Sequence, residues 1–178
     1  MTEQSIHFSS ATDEWPTPQL LFDELHAEFS FTVDVCATPG NAKCSRYYTR
    51  ADNGLEQDWS QDTAWCNPPF GHGIKFWMEK ALKSARAGAT VVCLVPSRTD
   101  TRWWHRYAMW ATEIRCLDKR LQFDGGTAKA PFPAVVVVFR PDHLGAAKLT
   151  AQAVPGARKK QEANVETMAG RKRLALGK

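Results

Sequence analysis

The chain has 178 residues, of which 43% are hydrophobic and 24% charged, with a formal net charge of +4. That is enough chain for one domain with a real core, and it holds no apolar run of the length a membrane-spanning helix needs and no leader-like start. A helical membrane protein is therefore excluded, and a cytoplasmic protein is expected.

In chain order, residues 1–12 are polar and read as a flexible arm. In "EWPTPQLLFDELHAEF", Thr17 suits an N-cap and Pro18 the first helical position. Leu21, Phe22, Leu25 and Phe29 recur at helical spacing, which predicts a helix over about 18–28. "FTVDVCA" alternates as a strand does and stops at the turn "TPGN". Within 41–62, "RYYT" reads as a short strand and "ADNG" as a turn. "TAWC" is a further strand, ended by Pro68 and Pro69. Over 74–86, Ile74, Trp77, Met78, Ala81, Leu82 and Ala85 line one face of an amphipathic helix closed by Gly88. "TVVCLVP" is a continuous apolar run, as in a strand covered on both faces. A helix containing "TRWWHRYAMWA" follows. Then come the strands "EIRCL" and "PAVVVVF", separated by the loop "FDGGTAKAP".

Residues 151–178 carry seven basic and two acidic side chains, a net +5 that leaves −1 for the rest of the chain. This segment reads as a disordered basic tail of the kind that holds phosphate backbones. The five cysteines include no C-x-x-C pair, so disulfides are not expected. Cys36, Cys44 and a histidine are poorly spaced for zinc; no metal ligand is assigned, and most of the thiols read as small core residues.

The element order predicts one three-layer α/β domain over 13–145, with a mainly parallel sheet and helices on both faces. Ligands of such sheets sit at the carboxyl ends of strands. Asp34 ends one strand and Asn67 follows another, so both fall on the same rim.

The corner "AWCNPPFGHG" concentrates the chemistry. Two prolines stiffen it, Asn67 carries an acceptor oxygen, and the Pro68 carbonyl is a second acceptor. With the ring of Phe70 beside them, these groups would receive a flat molecule bearing an NH₂ group, and the exocyclic amine of adenine fits. Its lone pair is delocalised into the ring. Accepting both hydrogens favours the positive charge that develops during attack on a methyl donor with a sulfonium leaving group. If the four residues stood alone, a strand-ending turn with a buried phenylalanine would explain them better.

They do not stand alone. "W-x-T-P", "DVCA", "NGLEQDW", "CNPPF", "LVPSRTDTRWWH", "KRLQF" and "APFPAVVVVF", in this order over 13–141, resemble the small phage-type DNA N6-adenine methyltransferases. The resemblance implies a Rossmann-like S-adenosylmethionine-dependent methyltransferase fold with a seven-stranded mixed sheet. It also implies site-specific methyl transfer to adenine N6 in DNA, in a bacterial or phage-infected cytoplasm. By the same resemblance Asn67, Pro68 and Phe70 are catalytic. Thr17 and Asp34 hold the methionine end of the cofactor and Ala37 lines that pocket, while Asp52 and Asp58 are candidates for its adenosine end.

The sequence departs from the family pattern in three ways. The cofactor loop "CATPGN" has the single glycine Gly40, the acidic residue expected after a second strand is not evident, and 41–62 is short for two β-α units. Methylation of cytosine N4 or a protein glutamine is an alternative, as is a catalytically silent nucleic-acid-binding module.

Elsewhere, Trp103, Trp104, His105 and Tyr107 are candidates for base stacking. Neighbours on a helix point about 100° apart, so core packing explains the set better. Arg98, Arg102 and Arg106 would share a helix face if the helix starts early, where they would either touch phosphates or stay solvated. Lys119 and Arg120 would approach DNA or simply serve a connection. No oligomeric state is predicted.

Overall fold

The structure, a computed structural model, describes residues 15–123 and 129–155. The expected arm at 1–12 and most of the expected tail lie outside the described residues.

Helix α1 (Gln19–Phe29) buries Leu21, Phe22, Leu25 and Phe29, the four residues whose spacing predicts it. Its start differs from expectation. Pro18 is the N-cap, with no side-chain cap, and its carbonyl accepts from the N–H groups of Leu21 and Phe22 at 3.1 Å each. Thr17 therefore caps nothing and is buried one residue outside the helix. The helix ends at Ser30, in the left-handed conformation at φ 55°.

Strands β1 (Val33–Asp34), β2 (Thr63–Cys66) and β3 (Thr90–Pro96) run parallel, with α2 (Ile74–Arg86) between β2 and β3. Gly88 closes the turn after α2 at φ +118°, a value that favours glycine. β4 (Glu113–Leu117), β5 (Ala134–Phe139) and β6 (Lys148–Gln152) complete a six-stranded sheet of order β1-β2-β3-β5-β4-β6. β5 is antiparallel to both of its neighbours, and β6 is parallel to β4, so β5 alone runs against the rest. The sheet is mainly parallel, as the element order predicts, and mixed, as the resemblance implies.

Two core clusters lie on opposite faces. Val91, Cys93 and Val95 of β3 pack with Met78 and Ala81 of α2, while Val92 and Leu94 pack with Leu21, Phe22 and Leu25 of α1. Cover on both faces is why β3 and β5 read as unbroken apolar runs. Cys66 and Cys93 are buried neighbours in register on β2 and β3. Cys36 and Cys44 are half-buried and Cys116 is exposed, so only two of the five thiols are core.

Three features differ from the sequence reading. The tryptophan-rich helix is only α3 (Arg102–Arg106), followed by a 3₁₀ turn at Ala108–Trp110; Arg98 lies outside it, so no arginine stripe forms. Trp103 and Trp104 are both buried as an edge-on pair 5.7 Å apart, and the Tyr107 hydroxyl donates to Glu79 at 3.1 Å. The strand β6, mostly exposed and without an apolar pattern, carries the sheet past residue 145 to Gln152, two residues into the expected tail. Among the described residues, 41–62 adds only a bridge between Asp34 and Tyr47, which accounts for six strands where the resemblance implies seven. No helix among the described residues is long and apolar enough to cross a membrane.

Candidate active site

β2 delivers Asn67 to the carboxyl rim of the sheet, and the two prolines then stop the strand. The Asn67 side chain has one available orientation. Its Nδ2 donates to the Trp15 carbonyl at 2.6 Å, and a carbonyl can only accept, so Oδ1 must point the other way. Oδ1 is buried and finds no hydrogen-bond partner among the described residues. An unsatisfied buried acceptor costs about 1–3 kcal/mol, so its presence calls for an explanation. A ligand donor supplies one, because Asn67 lines a cleft of about 650 Å³, within the range of small-molecule sites.

That cleft brings together Thr17, Asp34, Ala37 and Asn67. Four candidate residues from three separate segments thus meet at one place. Pro69 lines the cleft with Asn67, whereas Pro68 is buried and does not line it. Phe70 is half-buried and packs edge-on against Phe123 at 6.0 Å and Phe132 at 5.6 Å.

Asp34 organises the loop that follows β1. Its Oδ1 accepts from the Cys36 N–H at 3.2 Å and its Oδ2 from the Lys43 N–H at 3.1 Å. Burial nonetheless dominates and raises its pKa above the ordinary carboxylate value, with the two N–H groups opposing the rise. Nearby, burial and the Asp34 charge push the Cys44 thiol up to about 11. The Lys43 ammonium donates to Gln19 on α1 at 2.8 Å, tying the loop to the helix.

The other two aspartates sit elsewhere. Asp52 is exposed and turned toward Thr49, accepting from its N–H at 2.8 Å and its hydroxyl at 2.7 Å. Asp58 is exposed and accepts from the N–H and hydroxyl of Ser60 at 2.9 and 3.0 Å. These turn contacts hold both pKa values low, and neither residue lines the cleft. Asn53 and Gly54 line it instead. Gly54 has a steric reason: a Cβ there would lie 2.1 Å from the Val35 carbonyl oxygen. Its own carbonyl accepts from the buried Trp59 indole at 3.0 Å, which fixes the turn to the core.

Sequence reasoning overlooked Trp15, Tyr48, Asn53, Gly54 and Trp77 as lining residues. For Gly54 a signal existed in "NGLEQDW"; Trp77 was hidden by its place on an apolar helix face. Among the basic candidates, the Arg120 guanidinium donates to the carbonyls of Ala130 and Pro131, so it braces a connection. Arg98, Arg102 and Lys119 are exposed.

Comparison with known proteins agrees with the geometry. The family described as DNA N-6-adenine-methyltransferase (Dam) matches residues 4–151. The DNA N-6-adenine-methyltransferase of Haemophilus phage HP1 (strain HP1c1) is 29% identical over 149 residues, covering 79% of this chain and 86% of its own. YfdM of Escherichia coli (strain K12), named as a candidate methyltransferase, is 38% identical over 65 residues, covering 33% of this chain and 71% of its own. The family match runs from before α1 into β6, taking in the rim, the cleft and Asn67: the chain belongs to the Dam family of DNA N6-adenine methyltransferases.

Proposed function

We propose that the chain takes its methyl group from S-adenosylmethionine and delivers it to adenine N6 held at the Asn67 corner. The observation that carries this reading is the buried, unpartnered Asn67 Oδ1 beside a cleft of about 650 Å³. The cleft fits such a group: it has the volume, a buried carboxylate at Asp34 for an ammonium, and apolar walls from Ala37 and Trp77. When bound, S-adenosylmethionine would supply an electrophilic methyl on a sulfonium sulfur, leaving as the neutral thioether S-adenosylhomocysteine, while the N6 proton that the methyl replaces passes to solvent.

The residues of the chain do the rest. Asn67 Oδ1 would accept a hydrogen bond from one N6 hydrogen and the Pro68 carbonyl, on a residue that does not itself line the cleft, would accept from the other, drawing the nitrogen lone pair out of the ring. The bond to Trp15 holds the Asn67 amide before the base arrives, so its oxygen would stabilise the positive charge that develops at N6 without reorganising. Asp34 and Thr17 would hold the methionine end of the cofactor, and Asn53 and Trp77, which line the same cleft, would contact its adenosine end. Phe70 stacks on the target base, which must leave the duplex to reach the corner. The net +5 over 151–178 adds salt-sensitive affinity for the phosphate backbone.

The test is to incubate the full chain with plasmid DNA and methyl-labelled S-adenosylmethionine and analyse the nucleosides by mass. Label in N6-methyldeoxyadenosine is expected. Label in N4-methylcytosine or in protein, or no transfer at all, overturns the reading.

A further inference from the structure

The Asn67 amide is held by a main-chain carbonyl, and that carbonyl belongs to a residue with its own anchor. Trp15 lies 52 positions earlier in the chain, in the segment that leads into α1. Its ring packs against Phe123 at 5.2 Å and Phe132 at 5.3 Å, the second contact edge-on. Both phenylalanines belong to the connection between β4 and β5 and also pack against Phe70. Pro16 follows directly, and a residue before proline is confined to extended backbone, which limits where its carbonyl can point. Ring and proline together fix the direction of the Trp15 carbonyl.

The consequence concerns Asn67. A free asparagine amide can turn over and present either its oxygen or its nitrogen. Presented nitrogen would meet an NH₂ group donor to donor. The 2.6 Å bond to Trp15 removes that state and leaves the oxygen as the unpartnered end of a side chain that lines the cleft.

We propose that Trp15 is a positioning residue for the methyl transfer: its ring, clamped by Phe123 and Phe132, holds the carbonyl that turns the Asn67 acceptor toward the substrate amine. This rests on the reading of Asn67 as the amine acceptor. Trp15 itself lines the cleft, so a direct contact with the cofactor is the competing explanation.

The experiment uses the full chain and three variants, Trp15→Ala, Trp15→Phe and Asn67→Ala. Initial rates give kcat and the KM for S-adenosylmethionine, and ¹⁵N spectra follow the Asn67 side-chain amide, assigned by its loss in Asn67→Ala. Misplacement of a reacting group by ~1 Å costs on the order of 10²-fold, so Trp15→Ala should lower kcat ~10–100-fold with the cofactor KM within ~3-fold. Trp15→Phe, which keeps a ring between the two phenylalanines, should recover most of that loss. The amide signal should move in Trp15→Ala toward that of an exposed asparagine and stay near its wild-type place in Trp15→Phe. An unchanged kcat in Trp15→Ala, a raised KM with kcat kept, or an unmoved amide signal overturns the proposal. Should Trp15→Ala fail to fold, Pro16→Ala carries the same test through the backbone before it; because Pro16 also lines the cleft, a lower kcat counts for the proposal only with the cofactor KM kept and the Asn67 amide signal moved, and any other result counts against it. Full turnover in Asn67→Ala would instead sink the underlying reading of the acceptor, while the amide signal still reports whether Trp15 orients it.

Discussion

The corner at Asn67 hangs from β2, whose Ala64, Trp65 and Cys66 are all fully buried. The cleft wall from Cys36 to Gly54 is made of turns, held by hydrogen bonds to Asp34 and Asp52 and by the close approach of Gly54 to Val35. One part of the site is thus rigid because a sheet core forbids movement, the other because a few polar contacts are all satisfied. The first arrangement suits a group that must be in place before reaction. The second suits a surface that closes around a cofactor and releases it. Substitutions in the two parts should accordingly fail in different ways.

The largest expected effect is at the corner. On the proposed mechanism Asn67→Ala removes an acceptor for the transition state, and the loss of one such preorganised group costs on the order of 10²–10³-fold in kcat. Methyl-transfer rates should fall by that much while the melting temperature and the calorimetric affinity for S-adenosylmethionine stay put; a matching loss of affinity would place Asn67 in the wall instead.

The wall should respond in the opposite sense. Gly54→Ala forces a Cβ onto the Val35 carbonyl oxygen, and overpacking of this kind costs about 1–3 kcal/mol. Urea unfolding should show that loss, with weakened cofactor affinity in calorimetry. Unchanged affinity would mean that the turn does not shape the cofactor site.

Asp34 adds a pH dependence. Its pKa is raised in the folded chain, so the fold keeps the proton longer than the unfolded chain does. Its contribution to stability is full below the unfolded value and declines as pH rises through the folded one. A cofactor ammonium favours the ionised form, so cofactor affinity should fall as pH is lowered through the same window. Asp34→Asn should flatten both profiles; persistence of the affinity profile in that variant would assign it to another group.

The smallest effects are expected at Asp52 and Asp58, exposed and engaged with Thr49 and Ser60. Alanine at either position should change cofactor affinity by less than about 2-fold, within the ~0.5 kcal/mol typical of surface sites. A tenfold loss would put that carboxylate in the site after all.

The corner was legible in the sequence for the same reason that it is rigid. Two prolines after a strand leave the chain few alternatives, and the motifs in order around them said which chemistry to look for. The wall was less legible because Asp, Asn, Thr and Gly serve local turns and ligand contacts alike. Asp52 was weighed for the cofactor where the structure lines the cleft with Asn53 and Gly54 next to it. Thr17 had two plausible uses, and Pro18 took the helix start, which left Thr17 to the cleft. β6 carried no period to detect, since what places it is its register with β4.

The strand β5 has a consequence for how the chain must be produced. Ala134–Phe139 is six consecutive buried apolar residues, hydrogen-bonded on both sides in the finished sheet, and one of its partners is the distant β3. Until β3 and β4 are in place, that hexapeptide is an uncharged, sticky ribbon of the kind that stacks with copies of itself. Pro133 before it and Arg140 and Pro141 after it act as gatekeepers at its two ends. Recovery of soluble material should therefore improve with slower, cooler synthesis, which leaves each nascent molecule time to cover this segment before it meets another.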